Sequence, residues 1–151
     1  MQSEAVAEIL REVGDPEIPS VSIVDLGMVG RIHADDERVV VDLMPTFVGC
    51  SAQRIIQATV SQKLQGAFPA STVTVRFDLS EPWTSDRISE AGREALRKAG
   101  IAPPGPSLDQ VECPYCGQSS AVLQNLFGAT SCRSLYYCSH CKNPFEAFKP
   151  L

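Results

Sequence analysis

Two cysteine pairs set the strongest constraint on how this sequence can fold. Cys113 and Cys116 form one C-x-x-C motif, Cys138 and Cys141 form a second, and 21 residues separate the pairs. Each motif lets two thiolates converge on one ion from a tight turn, and two such turns complete a tetrahedron. A module of about 40 residues cannot bury enough core to fold unaided, so a bound metal would supply folding energy. The spacing therefore predicts a four-cysteine zinc ribbon over residues 112–151.

The motifs leave the metal and the remaining cysteine of this region open. Zinc is favoured, but four cysteines can also hold an iron–sulfur cluster. Cys132 lies between the pairs, where it is either a packing thiol or a free nucleophile, because four ligands already fill the site. His140 lies inside the second motif and is expected to be a bystander.

The first 101 residues show the patterns of a small α+β domain. Apolar residues recur at helical spacing in three segments, 4–13, 51–68 and 87–99. Three β-rich runs occupy 28–33, 38–44 and 71–77, and the first two flank a hairpin turn. The order α-β-β-α-β-α predicts a small three-stranded sheet packed with helices.

Flanking residues refine these predictions. Residues 17–30 are expected to form an ordered loop that leads into the first strand, and Thr84 or Ser85 is the expected N-cap of the last helix. Residues 102–111 hold three prolines and a glycine, which is typical of a semi-stiff linker. The chain is thus divided into a domain at 1–101, a linker at 102–111 and the ribbon.

Cys50 is expected where a strand ends and a helix begins. It closes the segment Thr46-Phe-Val-Gly-Cys50, just ahead of the helical run from Ser51. Unsatisfied backbone N–H groups and the helix dipole favour an anion there, so the thiol is expected to have a lowered pKa. The alternative is a small buried hydrophobe. Asp25, among apolar neighbours, would ordinarily cap a turn.

Charge and composition exclude several classes of function. Residues 1–111 carry a net charge of −6 and residues 112–151 carry +1, so neither part has the basic stripe expected of a protein that binds duplex DNA. The first residues lack the basic start of a signal peptide, and no apolar run has the length of a membrane span. A cytoplasmic location is expected, where six cysteines indicate metal ligands or reactive thiols rather than disulfides.

Three separated motifs resemble the metal–sulfur cluster assembly domain of SufT-type proteins. They are DPEIP at 15–19, SIVDLGM at 22–28, and Thr46-x-x-x-Cys50. The resemblance covers about residues 4–101, and the four-cysteine tail is similar to the PaaD branch, accessory subunits of the phenylacetyl-CoA epoxidase system. It implies a role in iron–sulfur or iron assembly during aerobic phenylacetate degradation. Asp25, Thr46 and Cys50 become the candidate transfer site, and the iron–sulfur reductase subunit becomes the expected client, beside other epoxidase subunits.

Three hypotheses follow from this resemblance and from the residues. In the first, Cys50 is a labile ligand for a cluster or iron, and because clusters usually take four thiolates, a homodimer or a partner donates the others. In the second, the chain is a structural interaction subunit in which Cys50 only packs. The third, a nucleic-acid-binding ribbon, is disfavoured by the acidic balance. Catalysis by the chain itself is not expected, since it has no phosphate-binding glycine loop, nucleotide fingerprint or di-iron Glu-x-x-His pair.

Overall fold

The computed structural model describes residues 2–46, 52–130 and 132–150. Cys50 and Ser51 lie outside the described residues. The N-terminal elements, in chain order, are α1 (Gln2–Arg11), β1 (Gly14–Asp15), β2 (Ile18–Ser22), β3 (Val29–Ala34), β4 (Arg38–Leu43), α2 (Gln53–Ala67), β5 (Thr72–Phe77), a 3-10 turn (Ser85–Arg87) and α3 (Glu90–Lys98). The C-terminal elements are β6 (Ile101–Ala102), β7 (Ala121–Asn125), β8 (Arg133–Cys138) and β9 (Pro144–Phe148).

The predicted three-stranded sheet is confirmed, with the order β3-β4-β5. Strands β3 and β4 form the predicted antiparallel hairpin, and β5 pairs with β4 in parallel after the crossover through α2. The Asp35 carboxylate closes the hairpin turn by accepting the N–H groups of Glu37 and Arg38 at 2.9 and 2.7 Å. The central strand β4 buries Val39, Val41 and Leu43 completely. The most buried part of the sheet is therefore its central strand, β4.

The stretch predicted as an ordered loop contains a strand, β2, which pairs antiparallel with β1 just ahead of the stretch. Asp15 makes the connection, because its carboxylate accepts the N–H of Glu17 at 2.8 Å and so closes a tight turn. Gly14 is needed beside it, since a Cβ there would lie 2.4 Å from the carbonyl oxygen of Pro19. The Asp15-Pro16 dipeptide marks the exit from the first helix in the sequence, but it does not indicate this pair of strands.

The predicted start of the last helix at Arg87 was wrong, because α3 begins at Glu90. Ser89 is its N-cap, and its hydroxyl oxygen accepts the N–H of Gly92 at 3.0 Å. The expected cap Thr84 makes no side-chain cap hydrogen bond and precedes only the 3-10 turn. Ile88 separates the turn from the helix in an extended conformation and is buried, so core packing breaks the helical run.

The C-terminal strands form a four-stranded sheet with the order β6-β9-β8-β7. Strand β6 pairs with β9 in parallel, directly after α3, so Ile101 and Ala102 already belong to this sheet. The proline-rich stretch is held at two points, where Arg93 donates to the carbonyl of Pro104 at 3.0 Å and Tyr136 donates to that of Leu108 at 2.7 Å. The boundaries at 101 and 112 stay a prediction.

The described residues form two hydrophobic clusters. The smaller cluster lies behind the cysteine pairs and comprises Ala102, Val111, Cys113, Tyr136, Cys138, Phe145 and Ala147. The larger cluster is the core of the N-terminal domain, yet it includes Cys132 and Phe148 from the C-terminal sheet. The ring centroids of Trp83 and Phe148 lie 5.9 Å apart. The C-terminal sheet therefore completes the core of the N-terminal domain. No helix in the described ranges has the length and apolar character needed to cross a membrane.

Candidate functional site

Two turns of the same geometry carry the four cysteines. Gly117 follows Cys116 with φ +77°, and Lys142 follows Cys141 with φ +61°. In each turn the N–H of that residue donates to the carbonyl of the first cysteine, at 2.9 Å from Gly117 to Cys113 and at 2.8 Å from Lys142 to Cys138. Glycine at 117 suits this left-handed conformation, and it was a usable sequence signal. The sequence did not predict the same left-handed conformation at Lys142, because lysine rarely adopts it.

The four thiols converge as the sequence predicted. The sulfur atoms of Cys113, Cys116, Cys138 and Cys141 all lie within 4.8 Å of one another. Two pairs, Cys113 with Cys141 and Cys116 with Cys138, are 3.6 Å apart. A zinc tetrahedron with bonds of about 2.3 Å has sulfur–sulfur edges of about 3.8 Å. The donor set and its spacing therefore fit zinc, and His140 is not part of the cluster.

Protonation of the cluster is uneven. The backbone N–H of Cys141 is the largest of the influences that lower the pKa of Cys138 to about 7. The N–H of Gln118 lowers the pKa of Cys116, but burial and hydrogen bonds with the other three thiols outweigh it and raise the value to about 12. Thiolates are the form that binds metal, so loading the site must release the protons that the thiols share.

Asp25 and Thr46 lie on adjacent segments at one end of the three-stranded sheet. The N–H of Met44 donates to the carbonyl of Met28 at 2.6 Å, which ties the end of β4 to the residue after the Asp25 turn. Thr46 is buried, whereas Asp25 is half-buried and accepts a hydrogen bond from the Ser89 hydroxyl at 3.0 Å. The Asp25 carboxylate thus contacts the residue that caps α3, and the expected bond from its carboxylate to a nearby backbone N–H stays a prediction. The third candidate, Cys50, lies outside the described residues.

Cys132 sits at the junction of the two halves. It is 5% exposed, and its sulfur lies 3.1 Å from the Thr130 hydroxyl. It belongs to the larger hydrophobic cluster and not to the four-cysteine group. Of the two roles left open by the sequence, its burial favours packing.

A charged cluster at the same junction was missed. Asp15 is buried and Glu17 is half-buried, near Arg133 and Thr130 of the C-terminal sheet. Burial raises the pKa of Asp15, although two backbone N–H groups and Arg133 act against it. Burial and the Asp15 charge raise the pKa of Glu17. Arg133 also pairs with Glu146 at 3.4 Å. Asp15 and Glu17 were noted only as parts of a motif, since their partners are more than 100 residues away in the chain.

Family models match both halves of the chain. Residues 3–77 match the model described as iron-sulfur cluster assembly protein, and residues 104–149 match the PaaD zinc beta ribbon domain. Both matches confirm the resemblance that the motifs carried. They assign the four converging thiols to a zinc ribbon module and the Asp25–Thr46 region to an iron–sulfur assembly module.

Curated and solved proteins show the same division. An Escherichia coli (strain K12) protein named as a subunit of 1,2-phenylacetyl-CoA epoxidase is 36% identical over 155 residues, which cover 98% of this chain and 93% of that protein. The Fe-S protein maturation auxiliary factor SufT of Staphylococcus aureus (strain USA300) is 35% identical over 83 residues, 54% of this chain and 93% of its own.

The N-terminal fold also has a counterpart among solved structures. The crystal structure of a domain of unknown function, DUF59, from Bacillus anthracis has a TM-score of 0.57 and 29% identity, and the match covers 62% of this chain and 90% of that one. The Escherichia coli relative matches nearly the whole chain and therefore shows its family. This chain belongs to the PaaD family of 1,2-phenylacetyl-CoA epoxidase subunits, with an iron–sulfur cluster assembly domain followed by a PaaD zinc beta ribbon.

Proposed function

We propose that this chain is a non-catalytic accessory protein that assists iron–sulfur or iron assembly in a phenylacetyl-CoA epoxidase system. The observation that carries the proposal is the pairing, in one chain, of an iron–sulfur assembly module with the PaaD ribbon. The two modules hold different thiol sites, one with four converging cysteines and one with a single cysteine, Cys50.

The four-cysteine site is proposed to hold zinc and to be structural. Four thiolates fill a tetrahedral ion, so no position stays open for a substrate or a transferred group. Cys113 and Cys138 are buried, and Tyr136 stacks on Phe145 behind them with ring centroids 5.7 Å apart. Bound zinc would supply folding energy to a module with only a small core. Transfer chemistry therefore belongs to the other half of the chain.

The transfer site is proposed to be Cys50, with Thr46 and Asp25 beside it. A single thiolate per domain cannot hold a cluster tightly, because clusters usually take four. That deficiency suits a labile cluster or iron passing to a client, with the remaining ligands donated by the client or by a second copy in a homodimer. The proposed client is the iron–sulfur reductase subunit of the epoxidase system. The use of cysteines as metal ligands agrees with a cytoplasmic setting.

A structural interaction subunit is the second candidate function, and one observation favours it. Four large apolar side chains on or next to β7 are exposed: Val122 by 53%, Leu123 by 39%, Leu126 by 43% and Phe127 by 59%. Such a patch is typical of a surface that binds another protein. Under this alternative the ribbon docks on an epoxidase subunit, and Cys50 has no role in metal transfer.

Co-expression with the reductase subunit separates the two candidates. The reductase would be purified anaerobically after co-expression with wild type or with the Cys50→Ala variant, and its iron and acid-labile sulfide would be measured. Transfer through Cys50 predicts a loss of cluster content with Cys50→Ala while the two chains still associate. Full cluster content with Cys50→Ala would contradict the transfer proposal.

The metal content of the isolated chain gives the second arm of this experiment. About one zinc per chain, with no sulfide, is expected in wild type and in Cys50→Ala. Cys116→Ser is the matched control and should lose the zinc. Iron and sulfide retained without Cys50 but lost in Cys116→Ser would move the cluster to the four-cysteine site and overturn the assignment.

A further inference from the structure

The hairpin of β8 and β9 connects the four-cysteine site to the core of the N-terminal domain. At one end, Cys138 closes β8 and Cys141 lies just before β9. At the other end, Phe148 closes β9, and the N–H of Lys149 donates to the carbonyl of Cys132 at 2.9 Å. The two strands pair without interruption between these ends. The hairpin therefore joins the cysteine end directly to Phe148.

Phe148 reaches the N-terminal domain through Trp83. Both rings are almost fully buried, at 2% and 6% exposed, and they meet at a tilt of 52°. The indole N–H of Trp83 donates to the carbonyl of Leu26 at 2.8 Å. A buried indole N–H needs such a partner, so the hydrogen bond fixes the ring against the turn that carries Asp25.

The same turn is held from its other side by residues around the start of α3. The N–H of Ser89 donates to the carbonyl of Asp25 at 2.9 Å, and Arg87 Nε donates to that of Gly27 at 2.8 Å. Gly27 has φ +73°, and a Cβ there would lie 2.4 Å from the Arg87 carbonyl oxygen. Residues 87–89 therefore hold the turn at Asp25 and Gly27, and the hydrogen bond from Trp83 holds it at Leu26, between these two points.

We infer that metal in the four-cysteine site sets the position of the turn at residues 25–27, through β9, Phe148 and Trp83. Without the ion, the small cluster behind the cysteines cannot keep the hairpin ordered. Phe148 then withdraws from Trp83, and Trp83 loosens its hold on Leu26. Trp83 is thus a positioning residue for the turn that carries Asp25. The inference concerns the folded chain and stands whether or not Cys50 transfers a cluster.

The single tryptophan makes this coupling measurable, because Trp83 is the only indole in the chain. The metal would be removed from the full chain with a chelator under reducing conditions, and zinc would then be added back. The expected result is a red-shifted Trp83 emission that returns with zinc. Hydrogen exchange should become about tenfold faster at the amides of residues 26–28 and stay unchanged at Val60 and Leu64 in α2. The amides of residues 26–28 all donate within the turn region, to Ser22, Val24 and Ile23.

Two variants of the C-terminal sheet give the matched comparison. Phe148→Ala should keep its zinc yet show the red-shifted emission and fast exchange already, with no further change when zinc is removed. Val122→Ala shortens an exposed side chain on β7 of the same sheet and should behave as wild type. The inference is overturned if metal removal leaves the Trp83 emission and the exchange at residues 26–28 unchanged. Loss of the helical circular dichroism signal on metal removal would also overturn it, since the N-terminal domain should remain folded.

Discussion

Two aspartates close turns by accepting equivalent backbone hydrogen bonds, but their pKa values are shifted in opposite directions. Asp35 is in the exposed hairpin turn, where the N–H of Arg38, then that of Glu37 and His33, lower its pKa to about 2. Asp15 accepts comparable bonds, yet its burial outweighs them and raises its pKa. The sequence shows both turns, but it does not show the burial, because that depends on residues near 130.

Replacing Asp15 with asparagine should raise the free energy of unfolding at pH 7. With a folded-state pKa above the unfolded value, the stability from this carboxyl is present in acid and is lost as the pH rises through the raised pKa. The asparagine side chain would keep an acceptor for the N–H of Glu17 and carry no charge. Urea unfolding of both proteins from pH 7 downward should show the advantage of the Asp15→Asn variant shrinking as Asp15 becomes protonated in wild type. A variant less stable than wild type at pH 7 would contradict the prediction.

The opposite behaviour is expected at Asp35, which serves as the control. A lowered folded-state pKa contributes stability above the ordinary pKa, and that contribution is lost as the pH falls toward about 2. Asp35→Asn should therefore be less stable than wild type at neutral pH, and the two proteins should converge in acid. The same urea series measures this. An equal difference at every pH would show that the turn hydrogen bonds do not depend on the charge.

Among the helices and strands, the local sequence pattern was enough for a correct prediction where the spacing of apolar residues was uninterrupted. The alternating Val73, Val75 and Phe77 predicted β5, and the apolar stripe predicted α2, because one side of each element packs on a core. The predicted start of α3 was wrong, because the capping residue Ser89 lies inside the segment with helical spacing and the buried Ile88 interrupts that segment. Which of several possible caps is used depends on tertiary contacts, in this case those between Ser89 and Asp25.

Helix α3 approaches the Asp25 turn so closely that Gly92 is required. A Cβ at this position would lie 2.6 Å from the Asp25 carbonyl oxygen and 3.0 Å from Ile88 Cγ2. Gly92→Ala should lower the free energy of unfolding by about 1–3 kcal/mol through overpacking, although alanine is the better helix former. Urea unfolding measures it, and a stabilised variant would show that α3 can move away from the turn without loss.

Gly66 in α2 provides the matched control. A Cβ there would meet nothing within 4 Å. Gly66→Ala should therefore raise the free energy of unfolding by about 0.5–1 kcal/mol, which is the ordinary gain from removing a helical glycine. A loss of stability at Gly66 as large as that at Gly92 would point to a general sensitivity of the helices rather than to the contact with Asp25.

At the scale of the whole molecule, the arrangement of the two halves was beyond the reach of local pattern. The cysteine spacing predicted the ribbon and the proline-rich stretch predicted a linker. Strand β6, however, pairs in parallel with β9 over only two residues on each side, Ile101 with Glu146 and Ala102 with Ala147. Such a short non-local pairing leaves no periodic signal in the sequence. The shared core at Phe148 and Cys132 has the same cause.

The edge strand β7 should promote self-association. Among the described residues it is the last strand of the four-stranded sheet, and residues 113–132 carry no charged side chain. Natural edge strands are usually guarded by lysine, proline or inward-pointing charge. Val122→Lys should weaken any self-association by about tenfold or more, which corresponds to about 1.4 kcal/mol. Sedimentation velocity over a range of concentrations measures this, with Ser107→Lys in an exposed bend as the charge-matched control. Equal association of both variants would place the contact elsewhere.

The contact between Trp83 and Phe148 also has a consequence during synthesis of the chain. The two residues are 65 positions apart, so Trp83 leaves the ribosome well before its partner has been made. At roughly 5–20 residues per second, this interval lasts roughly 3–13 seconds. Until Phe148 has been made, the nascent N-terminal domain lacks the ring that packs on Trp83. Slow translation of residues 84–147 would lengthen that interval, and ribosome-associated chaperones would have their best opportunity to bind the nascent chain during it.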